Sequence, residues 1–132
     1  MQKTMTKTAC KVTGFEIPVE NRQRASRFYS NVFNWEIETG EKDHAHIGTV
    51  ELDANWLPKE KGAINGMMYE KASKHDRVAL MITVSSISDT LEKVKSHNGR
   101  VVTEKTQAGE MGWWAEINDT EGNLFELWED KE

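Results

Sequence analysis

The sequence has one cysteine, two prolines and no long run of apolar residues. Cys10 alone cannot form an internal disulfide or a zinc site, which favours a reducing, cytoplasmic environment. No apolar stretch approaches the ~20 residues that span a bilayer, and the first residues lack the apolar segment of a secretory signal. The 17 basic residues form no cluster and face 22 acidic ones, for a net charge of −5. We therefore expect neither a membrane nor a nucleic acid as partner.

The length and apolar content are typical of one folded domain. A chain of 132 residues with 37% apolar side chains can bury a continuous core, and this composition argues against intrinsic disorder. We therefore interpret residues 1–132 as a single domain.

Hydrophobic periodicity and turn residues predict eight strands and two helices. The strands are expected at 12–19, 35–39, 44–52, 63–69, 77–84, 100–104, 112–118 and 123–129, with turns at 40–43 and 119–123. The first helix, 22–33, should begin after the cap Asn21 and end at Asn34. The second helix, 86–98, should begin at Ser86 and end at Asn98 and Gly99. The first helix carries the wider apolar stripe, formed by Ala25, Phe28, Tyr29, Val32 and Phe33.

The second half of the chain repeats the first with an offset of about 65 residues. Phe15, Ile17 and Val19 correspond to Leu80, Ile82 and Val84, and each half reads strand, helix and three strands. Such a βαβββ unit cannot cover both faces of its own sheet, so two units should pair. We expect module one at about 11–70 and module two at about 76–130, with the helices outside and a concave sheet surface inside.

Three segments resemble one known superfamily. Residues 15–21, 25–35 and 119–127 read FEIPVEN, ASRFYSNVFNW and DTEGNLFEL. These phrases and the repeat resemble the vicinal oxygen chelate superfamily, which includes glyoxalase I, bleomycin-resistance proteins, fosfomycin-modifying enzymes and extradiol dioxygenases. The resemblance implies an α+β fold in which two βαβββ modules pair into an incompletely closed barrel. It also implies a homodimer.

Active members of that superfamily hold a divalent metal ion through the first and last strands of each module. Carried over by the motifs, the four ligand positions are Gly14, Met67, Ala79 and Glu126. Glycine and alanine offer no donor atom, and a methionine thioether suits hard or borderline cations poorly. We therefore expect no metal cofactor. His44 and His46 share one face of a predicted strand and, with Glu126, are the alternative ligand set.

Two acidic residues are candidates for catalysis. Glu126 is either a structural residue satisfied by a neighbour or a buried general base whose pKa is raised by an apolar pocket. Glu16 lies two residues after Gly14, so it shares the face of that position. If the two carboxylates share one cavity, their repulsion raises at least one pKa.

The remaining candidates would line a pocket for a small molecule. Met67, Met68 and Met81 supply soft apolar surface, and Thr83 shares a face with Met81. Trp113 and Trp114 are adjacent, so one should enter the core while the other faces a ligand or an interface. Trp128 is a candidate for the pocket or for packing. The predicted ligand-binding set is Met67, Met81, Thr83, Trp114 and Trp128.

Two function classes remain open. The first is a metal-free binder of a small, partly aromatic molecule, since small, apolar and aromatic groups with one or two acids suit a flat organic ligand. The second is a lyase, an isomerase or a dioxygenase-like enzyme, with relocated metal ligands or with Glu126 or Glu16 as base. An interaction module whose sheet only dimerises is a third alternative.

Overall fold

The computed structural model describes residues 9–39, 44–55 and 57–131. The elements are β1 Lys11–Val19, α1 Arg22–Phe33, β2 Glu36–Thr39, β3 His44–Gly48, β4 Asn65–Glu70, β5 Ala79–Thr83, α2 Ile87–Ser96, β6 Arg100–Ala108, β7 Gly112–Asn118 and β8 Leu124–Asp130. The predicted α+β class and its two βαβββ repeats are confirmed. Neither described helix has the length and apolar character needed to cross a membrane. The predicted turn at 40–43 lies outside the described residues.

The described chain divides into two compact units. One unit is Thr13–Leu80, and the other contains the remaining described residues. We call β1, α1 and β2–β4 module one, and β5, α2 and β6–β8 module two. The strand order is β2-β3-β4-β1 in module one and β5-β8-β7-β6 in module two. Each module therefore places its four strands in the same order when counted within its own repeat.

The first helix begins and ends at the predicted residues. The Asn21 side chain accepts a hydrogen bond from the backbone N–H of Arg24 at 2.9 Å. Asn34 closes the helix in the left-handed conformation, with φ of 59°. An asparagine cap at each end fixes α1 because it supplies a side-chain acceptor at the start and tolerates positive φ at the stop.

The core of module one lies between α1 and its sheet. It consists of Ile17, Val19, Ala45, Ile47 and Met68, with Phe15, Ala25, Tyr29, Trp35 and Ile37 packed against it. The predicted apolar stripe of α1 is buried only in part, because Phe28, Val32 and Phe33 remain 55%, 53% and 52% exposed. The helix contacts the core through Ala25 and Tyr29. The apolar stripe of α1 is wider than the part of the helix surface that packs on the sheet, so the residues at its outer side stay exposed.

The second helix is held more deeply. Ile87 and Leu91 are 0% and 4% exposed, and they pack with Val84, Ala115 and Leu127 in the core of module two. The predicted cap is confirmed, since the Ser86 hydroxyl accepts a hydrogen bond from the backbone N–H of Asp89 at 3.1 Å.

A carboxylate from a strand distant in sequence accepts a further backbone hydrogen bond at the start of α2. Glu129 Oε1 in β8 accepts a hydrogen bond from the backbone N–H of Ile87 at 2.8 Å. Lys105 Nζ in β6 lies 3.6 Å from the same oxygen and 4.7 Å from the centroid of the Trp113 ring. The helix start, strand β8 and strand β6 are therefore connected through side chains.

The turn between β7 and β8 sets the pairing of those strands. Asp119 Oδ1 accepts hydrogen bonds at 2.8 Å from the backbone N–H groups of Glu121 and Asn123. The hydrogen bond from the Asn123 side-chain amide lowers the pKa of Asp119 below its ordinary value, and the backbone N–H donors lower it further. The resulting register pairs residue 118 with 124 and residue 116 with 126.

Two strand predictions differ from the structure by four residues at one end, whereas the ends of the other strands agree to within two residues. The strand expected to reach 52 ends at Gly48, because the backbone N–H groups of Thr49 and Val50 donate to the side chain of Asn65. The strand expected to end at 104 continues to Ala108. Its last residues are polar and show no period, but Thr106 and Gln107 pair with β7.

Candidate functional site

In each module the four strands turn one face of the sheet towards the helix, and we call the opposite face the distal face. In β1 the core residues Ile17 and Val19 lie on the helix side. Because successive strand residues point to opposite faces, Gly14 and Glu16 lie on the distal face of module one. The same rule assigns a face of the sheet to every candidate residue that lies on a strand.

Two predicted site residues are neighbours on the distal face of module one. Met67 in β4 is the Cα partner of Glu16 in β1 and of His46 in β3. His44 lies on the same face, two residues before His46, where it is paired with Tyr69. The structure therefore brings a carboxylate, a thioether and an imidazole into one row across three strands.

The inclusion of Met68 in the pocket lining was wrong. Met68 is fully buried in the core beneath α1, and the Ser26 hydroxyl donates a hydrogen bond to its sulfur at 3.9 Å. Adjacent residues of one strand face opposite sides, so Met67 alone of this pair belongs to the distal face.

Sequence reasoning missed a buried amide at the start of β4. Asn65 is 8% exposed, and its Oδ1 accepts hydrogen bonds from Thr49 N at 2.7 Å, Thr49 Oγ1 at 3.0 Å and Val50 N at 3.3 Å. Its Nδ2 finds no hydrogen-bond partner within the described part of the chain. The three donors fix the amide orientation, and Asn65 joins the loop after β3 to the start of β4.

The distal face of module two contains the predicted residues of β5. Ile82 and Val84 pack on the helix side of the sheet. Ala79, Met81 and Thr83 alternate with them, so all three lie on the distal face. Ala79 is buried, whereas Met81 and Thr83 are half-buried.

The adjacent tryptophans of β7 separate as expected. Trp113 packs against the core on the helix side, so Trp114 lies on the distal face. Trp114 is the Cα partner of Trp128 in β8. The Trp128 indole N–H donates to Asp130 Oδ1 at 2.8 Å. Two predicted ligand-binding residues thus form one cross-strand pair.

The carboxylate of Glu126 lies in the next row of that face. Glu126 is 7% exposed, and it already takes part in a polar interaction within the chain. Its Cα partner is Glu116 in β7, which the sequence analysis missed. The Thr103 hydroxyl in β6 donates to Glu116 Oε1 at 2.6 Å. Counting outwards from the 119–123 turn could have found this pair, because a hairpin turn fixes the register of its strands.

The four positions at which the sequence resemblance implies metal ligands offer few donors. The side chains of Gly14 and Ala79 have none, and the Met67 thioether suits a hard or borderline ion poorly. Across residues 9–39, 44–55 and 57–131, no three His, Cys, Asp or Glu side chains are grouped so as to hold a metal ion. A divalent ion does not fit the donor set at these four positions.

A groove of about 350 Å³ lies elsewhere, on the helix side of module one. Its described lining comes from α1 and β3, namely Arg22, Gln23, Ser26, Arg27 and Ala45. The Arg22 guanidinium in this groove donates to the backbone carbonyl of His44 at 3.2 Å. The candidate residues of module one, which are Glu16, Met67, His44 and His46, lie on the other face of its strands.

Comparison with known proteins identifies the fold. Residues 11–127 match the model of the Glyoxalase/Bleomycin resistance protein/Dioxygenase superfamily. No curated protein gives a significant match.

Several solved structures are similar over nearly their whole length. A hypothetical protein from Bacillus halodurans C-125 shares 17% identity at a TM-score of 0.65, with 95% of this chain and 97% of that chain covered. A methylmalonyl-CoA epimerase variant from Streptomyces coelicolor, in complex with 2-nitronate-propionyl-CoA, shares 12% identity at 0.67, with coverage of 95% and 100%. The methylmalonyl-CoA epimerase from Mycobacterium tuberculosis shares 16% at 0.59, with coverage of 100% and 94%. At these identities the similarity is one of fold.

Proposed function

We propose that this chain, which belongs to the Glyoxalase/Bleomycin resistance protein/Dioxygenase superfamily, binds a small, partly aromatic molecule without a metal ion. The observation that carries the proposal is the pairing of Trp114 with Trp128 beside the buried carboxylate of Glu126. Ligand sites typically combine apolar and aromatic lining with a few polar groups that fix orientation. The distal face of module two has this composition.

The chemistry of these side chains favours a ligand with an aromatic ring and a positive charge. Indole rings stack on flat ligands and attract cations through their faces. A carboxylate beside the indoles adds negative charge to this part of the face, which favours a ligand that carries positive charge. Adaptable apolar surface is added to the two distal faces by Met67 in module one and by Met81 in module two. Thr83 lies beside Met81 on β5.

The donor set argues against the metal chemistry of the superfamily at the expected positions. Three of the four positions carry Gly14, Met67 and Ala79, which leaves Glu126 as the conventional ligand. A catalytic zinc site needs about three protein ligands and an open position. A binding role needs none of them.

An enzyme is the alternative, and the similarity to two epimerases favours it. Epimerisation next to a carbonyl needs a general base, and Glu126 or Glu16 could act as one if burial raises its pKa. The other form of this alternative, with His44, His46 and Glu126 as relocated metal ligands, is not supported, because these three described side chains do not form a group that could hold a metal ion. Metal analysis of tag-free protein tests this exclusion: close to one equivalent of Zn, Ni, Mn or Fe, lost on replacing His46, would contradict it.

Binding is tested by titrating the protein with small aromatic compounds, both amines and neutral molecules, and following tryptophan fluorescence. We expect saturable changes, and Trp114→Leu and Trp128→Leu should each weaken binding about tenfold. Met111→Ala is the control, since Met111 is 74% exposed in the β6–β7 turn. Circular dichroism confirms that each variant is folded. A wild-type protein that responds to none of the compounds would reject the proposal.

We also propose a homodimer and a cytoplasmic location. The homodimer follows from the superfamily resemblance, and the location from the free, exposed Cys10. Light scattering on the eluting protein should give twice the mass of 15.1 kDa.

A further inference from the structure

The groove between α1 and β3 has a lining rich in hydrogen-bond donors. Its volume of about 350 Å³ is in the range of sites that hold small molecules. Its polar lining comes from four side chains of α1, namely Arg22, Gln23, Ser26 and Arg27, and Ala45 of β3 completes the described part. All four polar side chains can donate hydrogen bonds, and two of them are cations. The groove is therefore suited to an anion with several acceptor oxygens.

Arg22 is fixed in the groove by its neighbours. Its Nη1 donates to the backbone carbonyl of His44 at 3.2 Å, and its Nε lies 3.9 Å from Glu70 Oε2. The Arg22 side chain is 23% exposed, whereas that of Glu70 is 54% exposed. A guanidinium has five N–H donors, so these contacts orient the group and it can still bind an oxoanion. Arg22 thus places a cation at a defined position in the groove.

Arg27 and Ser26 are engaged more weakly. No ion pair involves Arg27 in the part of the chain that the structure describes. The Ser26 hydroxyl donates to the Met68 sulfur at 3.9 Å, and a thioether is a weak acceptor. An oxoanion is a stronger acceptor, so the hydroxyl can turn towards it. Both side chains can therefore contact a ligand without the loss of a strong interaction.

The arginines of α1 lie at the end of the helix where cations are unfavourable. The start of a helix carries a positive partial charge from its backbone N–H groups. Arg22 and Arg24 lie in the first turn, which has no acidic residue, and Arg27 follows in the second turn. Departures from such a local preference are typical of functional sites. A bound anion would compensate the arginines and the helix dipole together.

We propose that this groove binds the phosphate group of a small phosphomonoester. A phosphate presents three terminal oxygens to the lining, whereas a carboxylate presents two. Two guanidinium groups and a hydroxyl match the larger number. The cavity is larger than a phosphate group alone, which leaves room for the organic part. The inference is independent of the proposed function, because that function rests on the indole pair of module two.

The test uses glycerol 2-phosphate as the probe, with glycerate, inorganic phosphate and glycerol for comparison. None of these compounds is aromatic, so stacking on indoles does not contribute. Isothermal titration calorimetry at constant ionic strength gives the affinities. We expect glycerol 2-phosphate to bind saturably, glycerate and inorganic phosphate to bind several-fold more weakly, and glycerol to give no signal.

A matched pair of arginine variants locates the site. Arg27→Gln should weaken the binding of glycerol 2-phosphate about tenfold, the loss expected for a hydrogen bond to a charged group. Arg24→Gln is the control, because Arg24 is exposed on the same helix and is outside the groove lining. It changes the net charge equally and should stay within about twofold of the wild type, since salt screens distant charges. Circular dichroism confirms that both variants are folded.

Heteronuclear NMR gives a second, local measurement. At saturation the Nε–H signals of Arg22 and Arg27 should shift, and that of Arg24 should not. Unshifted signals of Arg22 and Arg27 would overturn the inference, as would equal losses in the two glutamine variants.

The comparison compounds decide the ligand class. Glycerate binding as tightly as glycerol 2-phosphate would overturn the preference for phosphate, and inorganic phosphate binding as tightly would overturn the preference for an ester. A wild type that does not bind glycerol 2-phosphate would reject the site. That result would leave the proposed function standing, since the titration with aromatic compounds tests it separately.

Discussion

The two modules repeat one topology but hold their helices differently. In module two, Ile87 and Leu91 of α2 are 0% and 4% exposed. In module one, no residue of α1 is fully buried, and the helix contacts its core through Ala25 and Tyr29. The Tyr29 ring stacks on Trp35 with 5.3 Å between centroids. The same βαβββ pattern is therefore compatible with a deeply buried helix and with a shallow aromatic contact.

The charged residues at the ends of the two helices also differ, and they too favour α2. The first turn of α2 contains Asp89, and its last turn contains Lys93 and Lys95, which is the favourable order for the helix dipole. The first turn of α1 has no acidic residue and carries Arg22 and Arg24 instead. Burial and electrostatics both make α2 the more firmly held helix.

The largest expected effect is a cavity in module two. Leu91→Ala should lower the free energy of unfolding by about 3 kcal/mol, because it removes a buried side chain that its neighbours cannot fully replace. Val32→Ala in α1 should cost less than about 1 kcal/mol, since Val32 is 53% exposed. Urea unfolding of both variants measures the difference. Equal losses would show that the exposed side of α1 is covered in solution.

A smaller effect tests whether the shallow packing of α1 extends to the sheet of module one. A Cβ at Gly66 in β4 would lie 2.6 Å from the Phe15 ring, so Gly66→Ala should cost about 1–3 kcal/mol. At Gly48 the nearest atom would be 3.7 Å away, and Gly48→Ala should stay within about 0.5 kcal/mol of the wild type. Thermal and urea unfolding measure both. A tolerant Gly66 would mean that module one is loosely packed in its sheet as well as under its helix.

The smallest expected effect is electrostatic. Gln23→Glu places an acid in the first turn of α1 and should raise the free energy of unfolding by about 0.3–1 kcal/mol at low salt. Asn31→Glu places the same charge near the other end of the helix and should lower it. The two variants have equal net charge, so a difference between their free energies of unfolding reports the interaction with the helix dipole. Measuring unfolding at roughly 20 mM and roughly 500 mM salt isolates this interaction, because salt screens it. Identical behaviour would remove the electrostatic part of the comparison.

The fold could be predicted because local signals agreed with one another. Asn21 and Asn34 gave the bounds of α1 directly, and the offset of about 65 residues between the halves gave the second module. The end of β6 was missed because its polar residues have no period, and pairing with β7 alone defines it. The end of β3 was missed because a side chain distant in sequence, Asn65, takes the backbone donors that a strand would use.

The sheet face of most candidate residues could be predicted from the sequence, but their partners on the neighbouring strands could not. Strand alternation correctly separates Trp113 from Trp114, whereas the expectation that Met68 lines the pocket with Met67 does not follow that rule. Glu116 was not found because its relevance depends on which residue lies opposite it. Alternation along one strand is local, but the partner across two strands depends on the turn between them.

The contacts of Glu129 couple the start of α2 to the edge strand of module two, whereas in module one Arg22 at the start of α1 contacts the inner strands β3 and β4. The Glu129 carboxylate joins the first backbone donor of α2 to Lys105 on the outermost strand. Peeling β6 from the sheet would withdraw the lysine and leave this helix-capping carboxylate less firmly placed. The edge strand and the helix start should consequently exchange their amide protons together, as one cooperative unit.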